Sequence, residues 1–292
     1  MRWTPGGVSD DVEDRRGAGF PGGGRPGIRI GLGGLAVLVV LSLVTGRNFL
    51  ALLEPTSGPV DAPYDESAPA PYQSSPAEDQ LVQFVSFVLD DAQATWTRLL
   101  PGAGREYRHA KLVLFTDGVR SGCGDAESAM GPFYCPLDEK VYIDLGFYRE
   151  LKQRFGAPGD FAQAYVITHE IGHHVQHILG IDARARQAQQ ERPNAVNAIS
   201  VRLELQADCL AGVWGHSTEQ RNILEVGDAD EALAAAAAIG DDRIQRGAGA
   251  GVNPETWTHG SSRQRVAWFK RGFTSGRIQD CDTFKDRVPE DD

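Results

Sequence analysis

From His169 to His177 the chain reads HEIGHHVQH, four of its seven histidines within nine residues and Glu170 beside the first. His169, Glu170 and His173 make the pattern H-E-x-x-H. On an α-helix, side chains four apart stack one above the other, so these two imidazoles can share one zinc ion. Glu170, turned about a hundred degrees from His169, would reach a water on the ion rather than the ion itself. A strand would hold the histidines about 13 Å apart, so the chemistry requires a helix. Val166, Ile167 and Ile171 make the segment too apolar for an ordinary wet surface. Burying imidazoles among such residues costs free energy unless they are paired or ligated.

A catalytic zinc ion needs a third protein ligand and one open position. A third histidine six residues past His173 is absent, since Leu179 stands there. The segment RLELQAD at 202–208 offers Glu204, with Asp208 one helical turn further on. Glu204 is expected to complete the ligand set. Asp208 is expected to accept an N–H from a ligating imidazole and fix its tautomer. His259, in the loop before a late helix, is the candidate to stabilise an oxyanion, with Tyr165 and Tyr142 as weaker ones. His174 is expected to face away from the metal, and His177 to lie near it without binding it. The strand Val141–Asp144 could pair with an extended substrate or be an ordinary core strand.

The chain resembles the putative neutral zinc metallopeptidases of bacterial envelopes. The resemblance is carried by MRW at the start, VEDRRG at 12–17, THEIGHHVQ at 168–176, ELQADCLAGVW at 204–214 and THGSSRQR at 258–265. It implies His169, His173 and Glu204 as ligands and Glu170 as the catalytic residue, in an arrangement similar to gluzincin peptidases. One departure is Asp11, where the family pattern has Asn. The implied reaction is zinc-dependent hydrolysis of peptide bonds, with a peptide or protein as substrate. The alternative is a catalytically silent module of the same fold that binds or scaffolds proteins, although such a module has no need of Glu170. Simple metal sequestration leaves Glu170 equally unexplained.

Positioning these residues takes several elements. Apolar residues at helical spacing predict a helix over 79–100, and strands are expected at 111–115, 132–135 and 140–144. A short helix at 147–155 follows. The motif helix should run from Asp160 to Leu179, where Gly180 ends it. Residues 182–198 read as polar and weakly periodic. Further helices are expected at 199–215, 230–245 and 261–271. Helices around a small sheet make an α+β fold, and the resemblance implies a zincin-type domain with the sheet packed on the motif helix.

Outside the domain, residues 28–46 hold an apolar run that is without charge from Ile30 to Gly46 and, counting Ile28, just long enough for a transmembrane helix. Five arginines precede it and only Arg47 closely follows, so the N-terminus is expected on the cytoplasmic side of a single-pass anchor. The expected organisation is a disordered segment at 1–27, the anchor at 28–46, a Pro-, Ser- and Ala-rich linker at 47–78, the peptidase domain at 79–287 and a tail at 288–292. A net charge of -11 argues against a nucleic-acid partner. Beyond the anchor, Cys123, Cys135, Cys209 and Cys281 should be oxidised, with Cys123–Cys135 and Cys209–Cys281 the first pairing to consider.

Overall fold

The computed structural model describes residues 1–18, 72–128, 131–153, 156–157, 159–247, 252–286 and 288. The strands are β1 (Val12–Asp14), β2 (Lys111–Phe115), β3 (Gly118–Ser121), β4 (Gly124–Glu127), β5 (Phe133–Cys135) and β6 (Lys140–Asp144). The α-helices are α1 (Pro76–Leu99), α2 (Gly146–Gln153), α3 (Asp160–Ile178), α4 (Ile181–Glu191), α5 (Val196–Gln220), α6 (Asp228–Ala238), α7 (Asp241–Gly247) and α8 (Ser262–Ser275). Met1–Arg16 and the chain from Gln73 onward form one compact unit. The α+β expectation holds, with helices dominating.

One mixed sheet runs in the order β1-β2-β6-β5; β1, β2 and β6 are parallel and β5 is antiparallel to β6. Both faces of β2 and β6 are covered, which explains their unbroken apolar character. Leu112, Leu114, Val141 and Ile143 join the helical core. Val113, Phe115 and Tyr142 face the other way, against Val119 and Ala126 of the β3–β4 hairpin. Disulfides join Cys123 to Cys135 and Cys209 to Cys281, the pairing expected from sequence. The first ties the tip of the hairpin to β5, and the second ties α5 to the segment after α8.

Helix α1 begins with a capping box of Ser75 and Glu78 behind Pro76, so the domain starts a few residues before 79. Two stretches differ from expectation. Residues 182–198, which read as polar and weakly periodic, are helical through Glu191; α4 packs only Ala185 fully inward and so shows little apolar period in the sequence. The Ala-rich stretch breaks at Gly240, where a side chain would run into the Ser262 backbone.

The larger correction concerns the N-terminus. Disorder was expected through residue 27, yet Val12–Asp14 adds to the sheet in register with Leu112–Leu114. Three residues are too short for a period to show. The charges that read as disorder are used in ion pairs, Asp11 with Lys111 at 2.7 Å and Glu13 with Lys140 at 2.6 Å. Among the described residues no helix is long and apolar enough to cross a membrane. The expected anchor at 28–46 and most of the expected linker lie outside the described residues.

His174 fastens the motif helix to the sheet. Its Nε2 donates to the Arg108 carbonyl at 2.6 Å, so its Nδ1 accepts from the Tyr134 hydroxyl at 2.9 Å. Burial lowers this imidazole from 6.5 to about 4. The native state therefore holds fewer protons than the unfolded chain between those values, and stability is lost as pH falls through the window. The loss should reach roughly 3 kcal/mol at pH 4. Urea unfolding at pH 7 and pH 4 checks this: His174→Gln should shrink the difference between the two midpoints, and an unchanged difference would refute it.

Candidate metal centre

His169, Glu170, His173, Glu204 and His259 line one cleft with a volume of about 580 Å³. Helix α3 supplies His169, Glu170 and His173, and α5 supplies Glu204. The two helices meet at Gly172, where an added Cβ would lie 2.9 Å from the Ala207 carbonyl oxygen. Hydrogen at that position lets the backbones close until Glu204 reaches both imidazoles. His169 Nε2 lies 3.2 Å from one Glu204 oxygen, and His173 Nε2 lies 3.5 Å from the other.

Hydrogen bonds on the far side of each ring fix which nitrogen is free. His169 Nδ1 lies 2.8 Å from Asp208 Oδ1, and His173 Nδ1 lies 2.9 Å from the side-chain Oε1 of Gln176. Both partners only accept, so both Nδ1 atoms donate and each Nε2 faces the Glu204 carboxylate. A bare nitrogen lone pair facing a carboxylate is repelled, so the place between them suits a proton or a metal ion. Tetrahedral zinc, with bonds of about 2.0–2.2 Å, spaces its ligand atoms roughly 3.3–3.5 Å apart. The observed separations match that spacing, so His169, His173 and Glu204 can hold such an ion.

Asp208 has no exposure and is shared by three side chains. Besides His169, it accepts from the Tyr165 hydroxyl and takes two bonds from Arg265, at 2.8 and 2.9 Å. Burial would raise its carboxyl, but Arg265 and His169 hold it below the ordinary range. Burial would likewise raise Glu204, and the two imidazoles outweigh it, leaving that carboxyl well below its usual value. For His169 burial alone would lower the pKa, but Asp208 and Glu204 raise it to about 10. Protons and a metal ion therefore compete for the same nitrogen. Glu170 is 7% exposed, and burial raises its carboxyl.

His259 lines the same cleft. Asp241 Oδ1 holds its Nδ1 at 3.1 Å, and Asp241 Oδ2 accepts the backbone N–H groups of Thr258, His259 and Gly260. The Asp241 hydrogen bond raises the His259 pKa. The two tyrosines are engaged elsewhere, Tyr165 on Asp208 and Tyr142 on Asp138. His177 is drawn away by Asp182 at 2.8 Å. Strand β6 lies inside the sheet, paired along its length with β2 and at Lys140–Tyr142 with β5. The edge strand on the cleft side is β5, whose Phe133 and Tyr134 line the cleft.

Two residues were missed from sequence. Arg265 shares the inward stripe of α8 with Trp268 and Phe269; a cation on an apolar stripe was the available signal. Asp241 carried none, because its use depends on a turn eighteen residues later. The close helix contact yields a prediction. Gly172→Ala should push α3 from α5 and weaken zinc binding by about tenfold or more in a chelator competition titration. Unchanged affinity would show that the spacing of the two helices does not govern the site.

Comparisons with known proteins show the family to which the chain belongs. The chain matches the family described as "Putative neutral zinc metallopeptidase" over residues 1–284. It is 50% identical to the Uncharacterized protein YpfJ of Escherichia coli K12 over 289 residues, 97% of this chain and 99% of that one. It is 46% identical to the Uncharacterized protein Rv2575 of Mycobacterium tuberculosis H37Rv over 206 residues, 67% of this chain and 68% of that one. No solved structure matches. The chain belongs to the family of putative neutral zinc metallopeptidases.

Proposed function

We propose that the protein is a zinc-dependent peptidase in which His169, His173 and Glu204 hold the ion and Glu170 is the general base. The observation that carries this reading is a buried carboxylate, Glu170, sharing a cleft with three convergent ligand atoms. Metal storage would need the ligands but not Glu170. When bound, the ion supplies a Lewis acid that polarises the scissile carbonyl and makes water acidic enough to attack it.

The chain's own residues do the rest. Glu170 accepts the proton of the attacking water and passes it to the leaving amine. Burial, which raises its carboxyl, suits it to carry that proton for part of the cycle. Asp208 keeps His169 in the tautomer that presents Nε2. His259, protonated more readily because of Asp241, donates to the oxyanion as the carbonyl becomes tetrahedral. An extended peptide pairs along the open edge of β5. Phe133, Phe147, Val166, Ile239 and Ile244 give the cleft apolar surface for its side chains. The two disulfides support the reading that the domain works in an oxidising, extracytoplasmic compartment.

Hydrolysis of unfolded casein, measured beside zinc content, tests the reading. Glu170→Gln should keep the ion and lose at least about 10³-fold in turnover. A wild type that binds zinc but cuts no better than this variant would favour the silent binding module. His259→Phe should lower kcat by roughly 10²-fold or more with KM little changed. Full turnover in that variant would remove His259 from the mechanism.

A further inference from the structure

The two imidazoles of the metal centre are backed differently. His169 leans on the carboxylate of Asp208, whereas His173 leans on a neutral amide, the Oε1 of Gln176 at 2.9 Å. Gln176 is 1% exposed and makes two further bonds. Its Nε2 donates to the Leu203 carbonyl at 2.7 Å and to Gln206 Oε1 at 3.1 Å. Gln206, also buried, donates in turn through its own Nε2 to the Cys281 carbonyl at 2.8 Å. Two buried amides thus join a ring at the metal centre to the backbone of the turn Ile278–Cys281, which follows α8.

The direction of this chain of hydrogen bonds is set at its far end. A backbone carbonyl only accepts, so Leu203 and Cys281 require amide nitrogens opposite them. Turning the Gln176 amide over would set its oxygen against the Leu203 carbonyl and against Gln206 Oε1. Turning both amides over would relieve the second clash and set the Gln206 oxygen against Cys281 instead. Either reversal leaves buried polar groups unpaired, which is costly. With the Gln176 oxygen fixed toward His173, Nδ1 of that ring donates and carries the single proton of the neutral imidazole. Had Gln176 offered its NH2, Nδ1 would have to accept, and the proton would occupy Nε2, the nitrogen the ion needs. The Cys281 carbonyl is itself well held. It also accepts the Thr283 N–H at 3.0 Å, Thr283 Oγ1 donates to the Arg202 carbonyl at 2.7 Å, and Cys281 is bonded to Cys209.

We propose that Gln206 is a positioning residue of the metal centre, acting through Gln176 to hold His173 in the tautomer that leaves Nε2 open to the ion. Partners behind a ligating imidazole fix its tautomer and its orientation together. A neutral relay does so without adding a further negative charge beside Glu170 and Glu204, which already share the cleft. Helix α5 thereby serves the site three times, with Glu204 as ligand, Asp208 behind His169 and Gln206 behind His173. The far anchor of the relay lies after α8, so the segment that closes the domain takes part in ordering a ligand on α3. The inference rests on the ligand set proposed above and stands whether or not the protein cuts peptides.

Zinc affinity of the full chain, measured by chelator competition well below the Tm of each protein, tests this. Gln176→Met should lower it by about tenfold or more, and Gln206→Met should lower it several-fold. The double variant should bind no more weakly than Gln176→Met alone, because Gln206 acts through Gln176. Gln206→Asn, polar but one methylene too short to span both partners, should act in the same direction, which keeps the test open if the methionine variant does not fold. A spectroscopic signature separates positioning from packing. In zinc-loaded protein with isotope-labelled histidine, the Nδ1–H signal of His173 should shift and exchange faster in the Gln206 variants, while that of His169, held by Asp208, stays in place. Unchanged affinity in the Gln206 variants, losses that multiply in the double variant, or an undisturbed His173 signal would overturn the relay and leave the ligand set standing. A wild type that binds no zinc would remove the ligand set itself, and the relay with it.

Discussion

The buried carboxylate of Asp208 is the point on which the site is built. A carboxylate with no exposure is costly unless its lone pairs are taken up, and here three donors do so. One is the His169 imidazole, one the Tyr165 hydroxyl and one the Arg265 guanidinium. Two of those donors lie on α3 and the third on α8, while Asp208 itself lies on α5. A single ion therefore fixes the relative placement of three helices. The same contact fixes a proton: with Nδ1–H committed to Asp208, His169 has only Nε2 to offer. Packing and ligand chemistry are thus set by one interaction, and Glu204, a helical turn earlier on α5, faces that nitrogen as a result.

Close backbone approach is the second requirement. Carboxylates have short side chains, so Glu204 reaches the imidazoles only if α3 and α5 nearly touch. Gly172 permits this beside Ala207, inside the H-E-x-x-H motif itself. Gly272 does the same between α5 and α8, where an added Cβ would lie 1.9 Å from the Cys209 carbonyl oxygen. Two glycines on facing helices therefore set the distances that bring Glu204 to His169 and Arg265 to Asp208. The disulfide from Cys209 to Cys281 holds the same region from its other end.

Much of this was legible in the sequence. The helical period through Phe161, Ala164, Tyr165 and Ile171 located the motif helix, and the i,i+4 pair Glu204 and Asp208 placed both carboxylates on one face of α5. Strands at 111–115 and 140–144 were visible because they are apolar on both faces. What escaped has physical causes. Strand β1 is three residues long and gains its hydrogen bonds from a partner a hundred residues away, so no local pattern announces it. The edge position of β5 is a property of strand order, which sequence spacing does not encode. Arg265 looked like any charge until its helix was seen to turn it inward. The N-terminal residues looked solvated because their charges are satisfied by partners distant in the chain.

The central claim is that His169, His173 and Glu204 converge on one zinc ion. Diffraction from crystals of the full chain, with anomalous differences recorded at the zinc edge, tests it most directly. The account predicts one peak per chain, about 2.0–2.2 Å from the Nε2 atoms of His169 and His173 and from a carboxylate oxygen of Glu204. No peak between these three side chains, or a peak bound elsewhere, would contradict it.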